Sequence, residues 1–134
     1  MRHLARHAAT GLIALAVLSA CAGGDTVAQG DYAPDYRGIE TILLDGEMVN
    51  FRVSMRNARA KTDVEVYARC AAAQYALIRG FGFARHVRTT VAQNGNQWRG
   101  DAVYVISASL PEGIRTIDAE VTVRDCASLG IPTI

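Results

Sequence analysis

Apolar and polar positions alternate most clearly over residues 47–55. Val49, Phe51, Val53 and Met55 fall on one face of a strand there, with Met48, Asn50, Arg52 and Ser54 on the other. A shorter strand over residues 39–44 precedes it, and Asp45-Gly46 between them has the Asx-Gly form of a two-residue hairpin turn. The period then changes. Residues 63–79 contain no Gly or Pro, Thr62 and Glu65 form a capping box, and Gly80 supplies a left-handed stop. Val64, Ala68, Ala71, Tyr75 and Ile78 make one helical stripe. Val66, Cys70, Ala73 and Leu77 make a second beside it, so the apolar arc is broad.

Beyond the helix, residues 81–91 read as a third strand whose pattern Gly82 and Arg85 disturb, which suggests a bulge. Asn94-Gly95 marks a turn, and residues 102–110 form a fourth strand with Ala102, Tyr104, Ile106 and Ala108 on one face. Pro111 to Gly113 turn the chain again. In residues 114–123, Ile117, Ala119, Val121 and Val123 alternate with Asp118, Glu120 and Thr122, the pattern of a fifth strand. The expected order is ββαβββ. One helix laid on one face of an antiparallel sheet of about five strands buries these stripes most simply, giving a two-layer α+β domain over residues 39–134.

The first 20 residues have another pattern. Arg2 and Arg6 precede an uncharged, mostly apolar stretch from Ala8 to Leu18, the layout of a secretory signal peptide. It is shorter than the ~20 apolar residues a membrane-spanning helix needs. At its end stand Leu18, Ser19, Ala20 and Cys21, which resemble the lipobox of bacterial lipoproteins. The resemblance implies that Cys21 receives a diacylglycerol, that the chain is cut before it, and that palmitate-type acyl chains anchor the protein to a membrane. Ala22, rather than Asp, implies passage to the outer membrane, facing the periplasm. The alternative is ordinary secretion without lipid, with cleavage near Ala20 or after Ala28. Residues 21–38, rich in Gly and Asp and without a period, read as a flexible tether. Tyr32 and Tyr36 within it are expected to pack against the domain edge.

Charge and chemistry narrow the function. The chain carries 14 basic and 13 acidic residues, and loss of Arg2 and Arg6 with the leader turns its net charge from +1 to −1. That balance sets up no long-range attraction for nucleic acid. Cys70 and Cys126 remain after Cys21, and in an exported protein of this size two thiols form a disulfide most simply; two separate buried thiols are the alternative. Cys70 with His86, the one histidine outside the leader, is a weak nucleophile and base pair that a disulfide would abolish. Asp118 and Glu120 share a strand face in this reading, where paired carboxylates are ordinarily solvated. One His and two Cys complete no zinc site, so no metal and no cofactor are expected. Arg52, Arg56, Arg59 and Lys61 form a loose basic run, which Arg85 and Arg88 could join, suited to lipid or glycolipid phosphates. Arg99-Gly100-Asp101 matches an adhesion tripeptide, but its glycine is read as easing a strand entrance.

Tyr32-Ala33-Pro34, Arg69-Cys70-Ala71-Ala72 and Gly80-Phe81-Gly82-Phe83 resemble features of small uncharacterised α+β lipoproteins of proteobacteria, with Cys70 at a position more usually alanine-like. No functional residue carries over from that likeness. The expectation is a non-enzymatic envelope module, held by lipid, that binds or scaffolds an envelope protein or glycolipid. A carrier of a small lipid or peptide is the alternative, and inward-facing alanines argue for tight packing instead of a cavity.

Overall fold

The structure is a computed structural model that describes residues 32–134. Lipobox residues Leu18 to Cys21 lie outside the described residues. The elements are β1 (Asp35–Leu43), β2 (Met48–Arg56), α1 (Lys61–Ile78), β3 (Phe83–Asn94), β4 (Gln97–Ser107), β5 (Thr116–Asp118) and α2 (Ala119–Ser128). The five strands form one antiparallel sheet in the order β1-β2-β4-β3-β5. Because β4 lies between β2 and β3 and opposes both, those two run parallel, with α1 crossing from one to the other. Both helices lie on one side of the sheet.

The expected α+β class holds, and two expectations about it need correction. The first concerns the chain's last third. Its strand ends after three residues, and a second helix follows where residues 114–123 read as continuous strand. Asp118 decides the break: its carboxylate accepts the Val121 N–H at 3.0 Å and caps α2. Ala119, Val123 and Cys126 also recur at helical spacing, and Ala119 and Cys126 are buried. The residues that alternate as a strand therefore satisfy a helical period equally well, and packing on α1 selects the helix. Asp118 and Glu120 are accordingly a cap and a first-turn residue, not two carboxylates on a strand face. The order is ββαβββα.

The second correction is at the other end. β1 opens at Asp35, inside the stretch read as tether, and Tyr36 packs edge-on against Tyr67 with ring centroids 4.7 Å apart. The connection from β1 to β2 is also longer than two residues, though Gly46 adopts the positive φ that its turn position requires.

α1 starts at Lys61, and the Thr62–Glu65 capping box is not formed: its N-cap, Ala60, makes no side-chain cap. Asp63 instead accepts from the Arg59 backbone N–H at 2.8 Å and from its guanidinium, which also lies over the Tyr32 ring at 3.7 Å. Gly80 does end the helix, with Phe81 N–H donating to Ala76 O. The core lies between α1 and the sheet. Val49, Phe51, Val53 and Met55 are each at most 2% exposed, as their alternation requires, and Ala68, Ala71 and Ala72 are fully buried against them. A Cβ on Gly100 would come within 2.7 Å of Val64 Cγ1, so this glycine sets how closely α1 approaches β4. That is its reason within Arg99-Gly100-Asp101.

Candidate functional site

The second apolar stripe of α1 finds its partner in α2. Cys70 and Cys126 form a disulfide with Cα atoms 6.0 Å apart, closing α2 onto the middle of α1. Both residues are buried. The bridge leaves no Cys70 thiol to act with His86.

Where α2 stops covering this flank, a groove of about 670 Å³ opens between the first half of α1, the middle of β3 and the segment leading into β5. Its position follows from two local features. First, β5 pairs only with Phe83, Ala84 and Arg85, so β3 beyond that point has no further strand beside it. Second, the ladder between β3 and β4 slips between His86 and Arg88, leaving Val87 as a bulge. His86 faces Tyr104 and Thr89 faces Ala102, which puts both on the helix side although they are three residues apart. Without the bulge they would point to opposite faces. His86 Nε2 lies 2.7 Å from Thr89 Oγ1, and its ring meets Tyr104 edge-on with centroids 5.1 Å apart. The bulge was legible in sequence, but its consequence for His86 was not.

Tyr104 forms the floor. It is 3% exposed, and no hydrogen-bond partner is found for its hydroxyl among the described residues. Burial raises its pKa to about 12, against a lowering influence from Arg69 and a raising one from Glu65. Burial also lowers the pKa of His86, as does the nearby Arg115 charge, so the ring favours its neutral form. Thus α1 contributes Glu65 and Arg69, and the β4–β5 connection contributes Arg115. Neither arginine has a carboxylate within ion-pair distance among the described residues. Ile114, fully exposed, and the half-buried Val66 and Ile117 add apolar surface at the rim. Arg69, Arg115 and Tyr104 were not singled out as site residues from sequence, because they belong to three separate elements.

The basic run is divided by the fold. Arg52 lies on the sheet face away from the helices, where it and Arg88 approach Asp101 at 3.7 and 3.0 Å. Asp101 also accepts from the buried Asn50 side chain at 2.7 Å. Arg59 is held by Asp63 at 3.0 Å, Arg56 has its Nε buried without a hydrogen-bond partner, and Lys61 is exposed at the start of α1. Two of the four guanidinium and ammonium groups are therefore already matched to carboxylates. Among the described residues no cluster of three or more His, Cys, Asp or Glu could hold a metal ion, and no helix is long and apolar enough to cross a membrane.

Comparison with known proteins supplies the relationship. A Paracoccus denitrificans protein, described as an uncharacterized 26.9 kDa protein in the nqo8 5' region, is 30% identical over 79 residues. The match covers 57% of this chain but 31% of that protein, so the chain spans under a third of that relative's length. No solved structure matches. The profile of the YNQ4 C-terminal domain family matches residues 36–130, from the start of β1 to just past α2, and so takes in every strand and helix described above. The chain belongs to the YNQ4 C-terminal domain family.

Proposed function

We propose that this protein is a non-enzymatic binding module of the bacterial envelope, exported by its leader and anchored through lipid on Cys21. The Cys70–Cys126 disulfide carries the reading, because structural disulfides persist in oxidising compartments and are rare in the cytosol. Export is also what the Arg2 and Arg6 leader and the Leu18-Ser19-Ala20-Cys21 run imply. Two or more acyl chains would give stable anchoring, since each buried methylene adds ~0.8 kcal/mol. The fully buried alanines of α1 pack it closely on the sheet, and the groove between α1 and β3 opens at the surface, which favours recognition at the surface over carriage inside the core. The non-enzymatic reading is supported by the disulfide, which leaves Cys70 no thiol to act with His86.

Metabolic labelling with a palmitate analogue tests the anchor. The label is expected on the wild-type chain and lost in Cys21→Ala; label retained by that variant, or absent from both, overturns the lipid reading. Photo-crosslinking in cells from exposed positions of the domain then reads out the envelope component it meets.

A further inference from the structure

We infer that the groove between α1 and β3 binds an anionic headgroup, carboxylate or phosphate, carried on a short apolar chain, with Arg69 and Arg115 holding the anion over the Tyr104 hydroxyl. Arg69 and Arg115 line one opening from opposite walls with no carboxylate within ion-pair distance among the described residues, whereas Arg88, which lines the same groove, is matched to Asp101. Planar guanidinium groups suit the oxygens of a carboxylate or phosphate. Tyr104 is 97% buried and lines the groove, and its hydroxyl, which has no partner among the described residues and is not sealed from solvent, is open to a ligand oxygen. His86 does not compete for the anion as a third cation, because its proton donor or acceptor capacity is turned toward Thr89.

The remaining lining defines the rest of the ligand. Glu65 stands on the same wall as Arg69 and offsets part of the positive charge of the arginines. Val66, Ile114 and Ile117 offer apolar surface next to the arginines, and the complete exposure of Ile114 leaves it available to cover a hydrocarbon chain. A groove of this volume, open to solvent along one side, suits a ligand that is held by its head and lies along the rim. The site does not depend on Cys21, so this proposal and the lipid anchor fail separately.

The test uses the full chain in phosphatidylcholine nanodiscs with labelled isoleucine methyl groups, titrated with hexanoate, hexyl phosphate, hexanol and inorganic phosphate. Hexanoate and hexyl phosphate are expected to shift the Ile114 and Ile117 methyls saturably. Each should bind about tenfold more tightly than hexanol or inorganic phosphate, and whichever binds better identifies the headgroup. Arg69→Gln with Arg115→Gln should weaken both anionic probes about tenfold or more, Tyr104→Phe about threefold, and Arg52→Gln on the other sheet face not at all. The proposal is overturned if the methyls do not shift, if hexanol or inorganic phosphate binds as well as the amphiphilic anions, or if the paired arginine variant retains full affinity.

Discussion

One flank of α1 has two halves that the fold treats oppositely. Around Cys70 and Ala73 the helix is covered by α2 and joined to it covalently, and Cys70, Ala73, Ala119 and Cys126 are all buried. Around Glu65 and Arg69 the same flank is uncovered, the residues opposite are His86, Thr89 and Tyr104, and the Tyr104 hydroxyl has no partner among the described residues. The difference lies in how far α2 reaches. β5 is three residues long, α2 begins at once, and ten helical residues extend about 15 Å, which covers one half of α1 and not the other. Completed packing marks the half that supplies stability. The uncovered half is the one proposed to take a ligand.

The sharpest way to break this contrast is to remove the bridge. Cys70→Ala with Cys126→Ala opens a crosslink between residues 56 apart and should cost about 4 kcal/mol on the chain-entropy account, read from urea unfolding of oxidised wild type against the variant. Loss of less than about 1 kcal/mol would show that apolar contacts alone hold α2. Next in size is Gly100→Ala. Its Cβ would meet the stiff Val64 side chain at 2.7 Å and Val53 at 3.0 Å, so a loss of about 1–3 kcal/mol is expected, and an unchanged unfolding midpoint would mean that α1 can lift from β4 without cost. Asp118→Ala removes the cap that turns the chain from β5 into α2. About 1 kcal/mol should be lost, and hydrogen exchange should rise first at Val121, whose N–H loses its acceptor.

The open half should respond less. Tyr104→Phe deletes a hydroxyl without a partner and should leave stability within about 0.5 kcal/mol of wild type; a loss beyond 1 kcal/mol would show that the hydroxyl is satisfied within the fold. The smallest effect concerns pH. Folding holds the His86 pKa below its ordinary 6.5, so the unfolded chain takes up the proton first. This residue's contribution is therefore complete above about pH 6.5 and declines as pH falls toward the folded value. His86→Gln should flatten that part of the curve of stability against pH, and an unaltered curve would place the dependence on another group.

Much of the architecture was legible because it rests on near-neighbour chemistry. The period of two in Val49, Phe51, Val53 and Met55 places their face inward whatever the strand order, and Gly80 and Asn94-Gly95 end their elements through backbone preference alone. The second stripe on α1 was visible as well. It called for a partner that the ββαβββ reading did not provide, and this was the available signal for α2. Sequence could not decide residues 119–123 because their apolar positions fit both periods, and only contact with α1 separates the two. Nor could it assemble the groove: Arg69, Tyr104 and Arg115 come from a helix, a strand and a loop, and no local pattern relates them.

By itself, then, the sequence determined the α+β class, the faces of β2 and α1 and the availability of two cysteines for pairing. Only the tertiary structure decided the strand order, the second helix, the pairing of Arg52 with Asp101 and of Arg59 with Asp63, and the placement of Arg69, Arg115 and Tyr104 around one groove. Periodicity and capping act over a few residues, and a single chain records them directly. A groove depends on where elements end relative to one another, and that is set by packing among residues distant along the chain.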